Sequence, residues 1–328
     1  GFFVQDEWNV TPKLTVVPGI RVDSHSSGEE YATSVKVSDS AFPTTKFSKT
    51  TVNPRIAIKY EVTPSLVLRA NIGTGFRAPY GFSEDLHLCS GSPRVWKSSN
   101  LKGERAISYN LSADYYAKKY QFSINIFRTN LKDKIQFSPA DDEVKKFGYS
   151  YQWENVDDAY VQGVELGAKA NLFRNFNAGV NWTFNQGKFK HERADWSDSN
   201  DETVKEFPQR LQYAKDSRNI SRFPAMTGDI DLDYTPGTWS FSLTSSLQGR
   251  MYIDYNSEDD GATSKIKKTN TFMLFNCRAA KRFGMCTVYA GAKNIFSYIQ
   301  DEKHTDDAAF MYAPVYGATW YVGLSVKL

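Results

Sequence analysis

Side chains able to hold a charged or planar molecule gather in a few long polar stretches of this 328-residue sequence. The richest runs from Phe76 to Arg105 and carries Arg77, Tyr80, Glu84, Asp85, His87, Arg94, Trp96 and Lys97. Guanidinium and ammonium groups attract anions, and Tyr and Trp offer flat faces for stacking. Tyr149, Tyr151 and Trp153 stand at alternate positions entering a strand, where they either stack on a planar ligand or form an aromatic girdle. Between 188 and 222, His191, Arg193, Trp196 and several carboxylates mix both signs of charge, and Trp196 adds a further stacking face. Asp195, Asp198 and Asp201 have a loose spacing for oxygen ligation of Ca²⁺, but no glycine stands at the sharp-turn position of a calcium loop. A solvated acidic loop is the simpler reading there, as it is for Glu258-Asp259-Asp260-Gly261 and for His304-Thr305-Asp306-Asp307.

Covalent chemistry has no foothold. No zinc spacing, nucleotide-binding glycine motif or nucleophile elbow occurs, and nothing places a serine beside His304 and its neighbouring carboxylates. The chain therefore reads as a binder or conduit and not as an enzyme. Of its three cysteines, Cys89 lies in the long loop, and Cys277 and Cys286 flank Lys281-Arg282 symmetrically. That symmetry predicts that the two stand opposite each other across a hairpin, within disulfide reach. Both also share the apolar phase of Phe275, Ala279, Val288 and Ala290, so the alternative is a pair of small lipid-facing thiols.

Strands must position these residues. The last stretch shows the pattern: Trp320, Val322, Leu324, Val326 and Leu328 alternate with Tyr321, Gly323, Ser325 and Lys327. A period of two with one dry face is the signature of a β-strand. The pattern recurs at Leu66–Ile72, Tyr120–Ile126, Val164–Leu172, Ala178–Phe184 and Ile230–Tyr234. Short connections around Pro12, Pro64, Lys118, Arg174, Pro236 and Arg282 read as hairpin turns, and two strands for each plus the last make about 13. Long polar segments at 24–46, 76–105, 188–222 and 250–270, with shorter ones at 130–149 and 299–316, fall between the hairpins.

Composition narrows the choice. Aromatics are 15% of the chain, yet mean hydropathy is −0.51 and no apolar run approaches the ~18 residues of a membrane helix. A net charge of +3 leaves no basic footprint for nucleic acid. What remains is a large sandwich or a barrel whose lipid face takes only alternate residues. Short turns at one rim, long loops at the other and charged residues on the inner phase favour the barrel. Trp8, Tyr60, Tyr115, Tyr116, Phe173, Tyr234, Trp239, Phe283 and Trp320, near strand ends, supply the aromatic girdles. The fold class is thus all-β: a transmembrane antiparallel up-and-down β-barrel, with residues 1–328 one domain.

Gly75-Phe76-Arg77-Ala78-Pro79, then Asp85-Leu86-His87, then Asn100-Leu101-Lys102-Gly103-Glu104, resembles a box in the barrel of TonB-dependent outer-membrane receptors. Gln5-Asp6-Glu7-Trp8, Val161-Gln162-Gly163-Val164-Glu165, Ala292-Lys293-Asn294-Ile295-Phe296 and Tyr316-Gly317-Ala318-Thr319-Trp320-Tyr321 are similar to further family signatures, in family order. The resemblance implies about 13 C-terminal strands of a 22-stranded barrel, with a plug and about nine more strands ahead of Gly1. It implies a bacterial outer-membrane location, with lipid, lipopolysaccharide, TonB acting through the plug, and a surface lipoprotein as partners, and no nucleic acid. It implies uptake of a scarce metal chelate, haem or a ferric siderophore, with cobalamin or passive porin flow as alternatives, and no tightly bound cofactor. Haem receptors of this family carry a ligating His between the two boxes, the interval that His87 occupies; an imidazole suits haem iron as an axial ligand. The ligand-binding set this suggests is Arg77, Tyr80, His87, Arg94, Trp96, Tyr149, Tyr151, Trp153 and Trp196.

Overall fold

A computed structural model describes residues 1–30, 41–80, 95–149, 151–191, 218–220, 222–253, 267–300 and 312–327. The chain opens with β1 (Phe2–Gln5), β2 (Trp8–Thr11), β3 (Leu14–Glu29), β4 (Thr45–Thr63) and β5 (Leu66–Arg77). Then come β6 (Val95–Lys97), β7 (Glu104–Tyr116), β8 (Tyr120–Pro139), a one-turn helix α1 (Asp142–Lys145), β9 (Tyr151–Phe173) and β10 (Phe176–Phe189). The remainder is β11 (Met226–Tyr234), β12 (Trp239–Gln248), β13 (Tyr252–Ile253), β14 (Lys267–Lys268), β15 (Phe272–Phe283), β16 (Cys286–Lys293) and β17 (Thr319–Val326).

One sheet runs β1-β3-β4-β5-β7-β8-β9-β10-β11-β12-β15-β16-β17, every step antiparallel, with β2 continuing beside β3 where β1 stops. That path has the 13 strands expected from the turns. It is an open, wound sheet: β1 and β17 each pair on one side only. The strip β6 adds parallel to β9, and β13 and β14 form a separate ribbon.

Register keeps the two phases apart. Ala70, Leu111, Ile126, Val164 and Phe184 lie directly opposite one another across β5, β7, β8, β9 and β10. Leu232, Leu243, Cys277, Ala292 and Trp320 continue the dry face across β11 to β17. Ile72, Leu111, Ile126, Leu166, Phe184 and Val322 are exposed, as side chains on a hydrocarbon-facing surface must be. Arg69, Glu165, Lys169 and Asp231 take the other phase, so a single continuous sheet keeps charge on one side and hydrocarbon on the other.

Five of the six short turns fall where the polar punctuation puts them. Thr11-Pro12-Lys13 and Thr63-Pro64-Ser65 close in the same way, the Thr hydroxyl accepting the amide N–H groups two and three residues on, at 3.2 and 3.0 Å in both. The sixth moves. Phe283 pairs with Cys286 around Gly284, whose φ of +57° suits a residue without a β-carbon. Cys277 therefore stands opposite Ala292 and not Cys286, and both thiols are free. The cross-hairpin disulfide that the symmetry allowed does not form; the lipid-facing reading describes both residues.

Strands also extend further than their alternation suggests. β3, β4, β8 and β9 have 16, 19, 20 and 23 residues, well beyond the ~10 that cross a bilayer. Residues 24–29, 45–46 and 130–139, read as parts of loops, are strand that projects past the membrane on the long-loop side.

Candidate functional site

The projecting ends of β3 to β9 build a small core at the rim. Tyr80, Leu101, Ile135 and Trp153 are buried together, and Phe47 packs against them. Tyr80, at φ +69°, donates its hydroxyl to the Ser98 carbonyl at 2.7 Å and accepts the Leu101 N–H at 3.3 Å. The Ser27 hydroxyl donates to the Pro79 carbonyl at 2.7 Å. Lys97 and Glu29 form an ion pair of 2.5 Å with side chains only 8% and 20% exposed. Asn155 accepts the Lys102 N–H at 2.8 Å and donates to the carbonyls of Lys102 and Asp133, tying β9 to the start of β7 and the bulge of β8.

This core is a clamp. The segment 81–94 leaves from buried Tyr80 and returns at β6, so both of its ends are fixed to one rigid platform. Burial pushes the Tyr80 phenol above its ordinary range, with the Leu101 N–H opposing and the Glu29 charge assisting. The hydroxyl stays protonated and keeps donating.

Below the clamp, the inner wall of β3 to β5 is basic. Arg21 pairs with Asp23 at 2.7 Å, Arg55 donates to Gln5, and Arg69 pairs with Asp114. His25 contacts the Thr51 hydroxyl at 3.2 Å and lies 4.8 Å from the Phe76 ring, on which Phe47 stacks at 6.0 Å. Lys49 sits 5.9 Å above the same ring. Arg77 is exposed and stands opposite Glu104 in register, and the Glu104 carboxylate accepts the Ile135 N–H at 3.0 Å. The wall of β11 carries the opposite sign, with Asp229, Asp231 and Asp233 on one phase and Asn181 donating to Asp229 at 2.8 Å.

The structure sorts the residues named from sequence. Tyr80 and Trp153 are buried parts of the clamp, and Trp96 lies on β6 beside Gln152 of β9. Tyr149 donates to the Ala41 carbonyl at 2.7 Å and meets Phe42 edge-on at 6.2 Å, bracing the β3–β4 end against β9. The backbone of Tyr151 pairs with Val95 and Pro139. His87, Arg94, Trp196 and the acidic triplets considered for Ca²⁺ lie outside the described residues, and among the described residues no cluster of metal-ligating side chains occurs. His25, Lys49 and Arg55 were not singled out from sequence, and Phe76 was named only as part of the Gly75–Pro79 box and the stretch it opens. The signal for the first three is the phase of the polar residues on β3 and β4, which the barrel topology turns inward.

A family model described as "TonB dependent receptor-like, beta-barrel" matches residues 1–295. The chain belongs to the TonB-dependent receptor β-barrel family. It is a bacterial outer-membrane β-barrel and not an enzyme. This receptor barrel is 26% identical over 229 residues to a vitamin B12 transporter, BtuB, of Photobacterium profundum, covering 69% of the chain and 30% of that protein. It is 21% identical to the ferric enterobactin receptor PirA of Pseudomonas aeruginosa, over 99% of the chain and 40% of that protein. Among solved structures it superposes on the copper transporter OprC with a TM-score of 0.71 at 19% identity, covering 98% of the chain and 46% of OprC. The receptor barrel thus spans less than half the length of these relatives, and the structural likeness speaks for the fold alone.

Proposed function

We propose that the chain is the ligand-selecting part of an outer-membrane receptor that takes up an anionic metal chelate, with energy relayed through TonB to a plug outside this chain. The observation that carries this is the basic inner wall of β3 to β5, where Arg21, Lys49, Arg55 and Arg69 line one side below a loop held at both ends. Positive charge gathered on one wall raises the local concentration of anions beside it. Ferric siderophores that carry carboxylate or catecholate groups fit that sign better than cobalamin does. Relatives whose names specify ferric enterobactin and vitamin B12 bracket the choice. Within the 81–94 loop, Arg94 and His87 would make first contact with the ligand, and His87 would supply the axial nitrogen if the cargo is haem.

The test is equilibrium binding by the full-length receptor to a panel of ferric catecholate and carboxylate chelates, haem and cobalamin. An anionic ferric chelate is expected to bind most tightly, and R55Q and K49Q to weaken it severalfold while cobalamin binding is unmoved. Tightest binding of cobalamin, or large ungated conductance in a planar bilayer, overturns the proposal. For haem, a Soret shift that survives H87A removes the axial role.

A further inference from the structure

The inner faces of β12, β15, β16 and β17 carry one sign of charge. Trp320, Val322, Leu324 and Val326 are exposed on the hydrocarbon side, which turns Tyr321, Gly323, Ser325 and Lys327 to the lumen. Register extends that phase to Tyr289, Gly291 and Lys293 on β16 and to Arg278 and Arg282 on β15. On β12 it selects four hydroxyls in a row, Ser240, Ser242, Thr244 and Ser246. The wall holds four cations, Arg278, Arg282, Lys293 and Lys327, all exposed, and no carboxylate shares their phase on these strands. None of the four enters an ion pair among the described residues, whereas Arg21, Lys59 and Arg69 on β3 to β5 each pair with a carboxylate.

The four cations form a ladder from the loop side to the turn side. Arg278 stands opposite Gly291, two residues from Lys293, and Arg282 stands opposite Thr287, four residues further on. Thr287 in turn faces Ser325, two residues short of Lys327. At ~3.4 Å per residue the steps are roughly 7, 14 and 7 Å along the strands, close to the full height of an outer-membrane hydrocarbon band of about 25 Å.

The surface between the rungs is shallow. Gly291 and Gly323 let the rings of Tyr321 and Tyr289 lie against the sheet, and Arg278 stays at the wall, 4.7 Å from the Tyr289 ring centre. The β12 hydroxyls run alongside, with Ser242 opposite Arg278. On their far side, Asp229, Asp231 and Asp233 of β11 stand opposite Ser246, Thr244 and Ser242. An anion is repelled by that column of carboxylates and drawn toward β15 to β17, so the two columns bound a lane. Spaced and solvated charges hold an anion weakly at each rung, and conduction requires sites that are weak and several.

We propose that Lys293, Arg278, Arg282 and Lys327 form a translocation track, along which an anionic chelate passes down the barrel wall after leaving the rim. The β12 hydroxyls replace part of the water that it sheds. The track rests on the reading that the cargo is anionic; it assigns passage to β12–β17 and leaves capture with β3 to β5.

The experiment uses cells that make the full-length receptor, with iron-radiolabelled ferric enterobactin and ferric citrate as probes. Equilibrium binding is read in de-energised cells and the initial rate of uptake in energised ones. For a probe that the parent binds, R278Q/R282Q/K293Q/K327Q is expected to bind within about twofold of the parent but to take it up roughly tenfold more slowly, at the low end of what electrostatic focusing supplies. K281Q, on the outer phase of the same strand, is expected to change neither quantity. The charge-keeping R278K/R282K/K293R/K327R variant is expected to take up the probe as the parent does, which separates loss of charge from loss of folding. Parental uptake by the glutamine variant overturns the track. So does equal slowing in the charge-keeping variant, or loss of binding in step with uptake, which would put these cations in capture. If the parent binds neither probe, the anionic reading itself fails and the track falls with it.

Discussion

Tyr289 on β16 lays its ring over the α-carbon of Gly323, its direct partner on β17. Two residues along, the arrangement is reversed: Tyr321 of β17 covers Gly291 of β16. The two rings meet edge to face at 6.3 Å, and Arg278 lies 4.7 Å from the Tyr289 ring centre. Each glycine is there because a side chain would occupy the ring's place. At Gly291 a β-carbon would also come within 2.5 Å of the Cys277 carbonyl oxygen, which is backbone and cannot swing away. G291A is therefore expected to destabilise the barrel by about 1–3 kcal/mol, more than G323A, where only the ring must move. Unfolding of the full-length receptor in vesicles measures both.

Tyr80 gives a second prediction. Y80F keeps the ring in the rim core but strips the acceptor from the Leu101 N–H and the donor from the Ser98 carbonyl, at a cost of about 1–3 kcal/mol. Because the folded phenol titrates above its ordinary value, its contribution is complete below the unfolded pKa and is lost as pH rises through the folded one. The parent should lose stability in strong alkali more steeply than Y80F, as read by proteolysis within 81–94.

Asp157 predicts the acid side. Burial works to raise its pKa, but the N–H groups of His191 and Asp158 and the His191 ring outweigh it and hold the carboxyl below the ordinary range. His191 donates its N–H at 2.7 Å and its ring Nδ1 lies 3.2 Å away. A depressed folded pKa means stability present above the unfolded value and lost as pH falls through the folded one. D157N should flatten the loss of hydrogen-exchange protection around Asp157 between pH 5 and pH 3, two values chosen to bracket about the ordinary Asp pKa.

The Glu29–Lys97 pair joins β3 to β6, and its cation is nearly buried. Removing one partner strands the other charge, so K97A should cost about 2–4 kcal/mol, and E29Q/K97M much less. Slower release of chelate by the double variant than by K97A would show that the pair acts by holding the loop base.

Cys277 and Cys286 are expected to react as thiols. With Cys89 replaced by serine, peptide mapping of the denatured receptor should find Cys277 and Cys286 both alkylated without reductant.

Alternation and turn chemistry carried most of the fold. Thr-Pro pairs marked three turns, and the dry phase from Ala70 to Trp320 was continuous on paper because a lipid face demands it at every second residue. The C-terminal hairpin was misplaced because the turn centre depends on which residue tolerates positive φ. Gly284 decides that, not the symmetry of the cysteines. The burial of Tyr80 and Trp153 in the rim core was not legible, since an aromatic in a long polar stretch has the same spelling whether it meets a guest or seals a rim. The converse holds for His25 and Lys49: their importance comes from β3, β4 and β5 lying side by side, which spacing along one strand does not express.

The wall of β3 to β5 is positive and that of β11, five strands further round, is negative. A transverse field of this kind exerts a torque as well as a pull. A passenger with its charge on one flank would be turned as it descends, presenting the same side to the same strands each time. Discrimination between chelates of equal net charge would then follow from how that charge is distributed over the molecule.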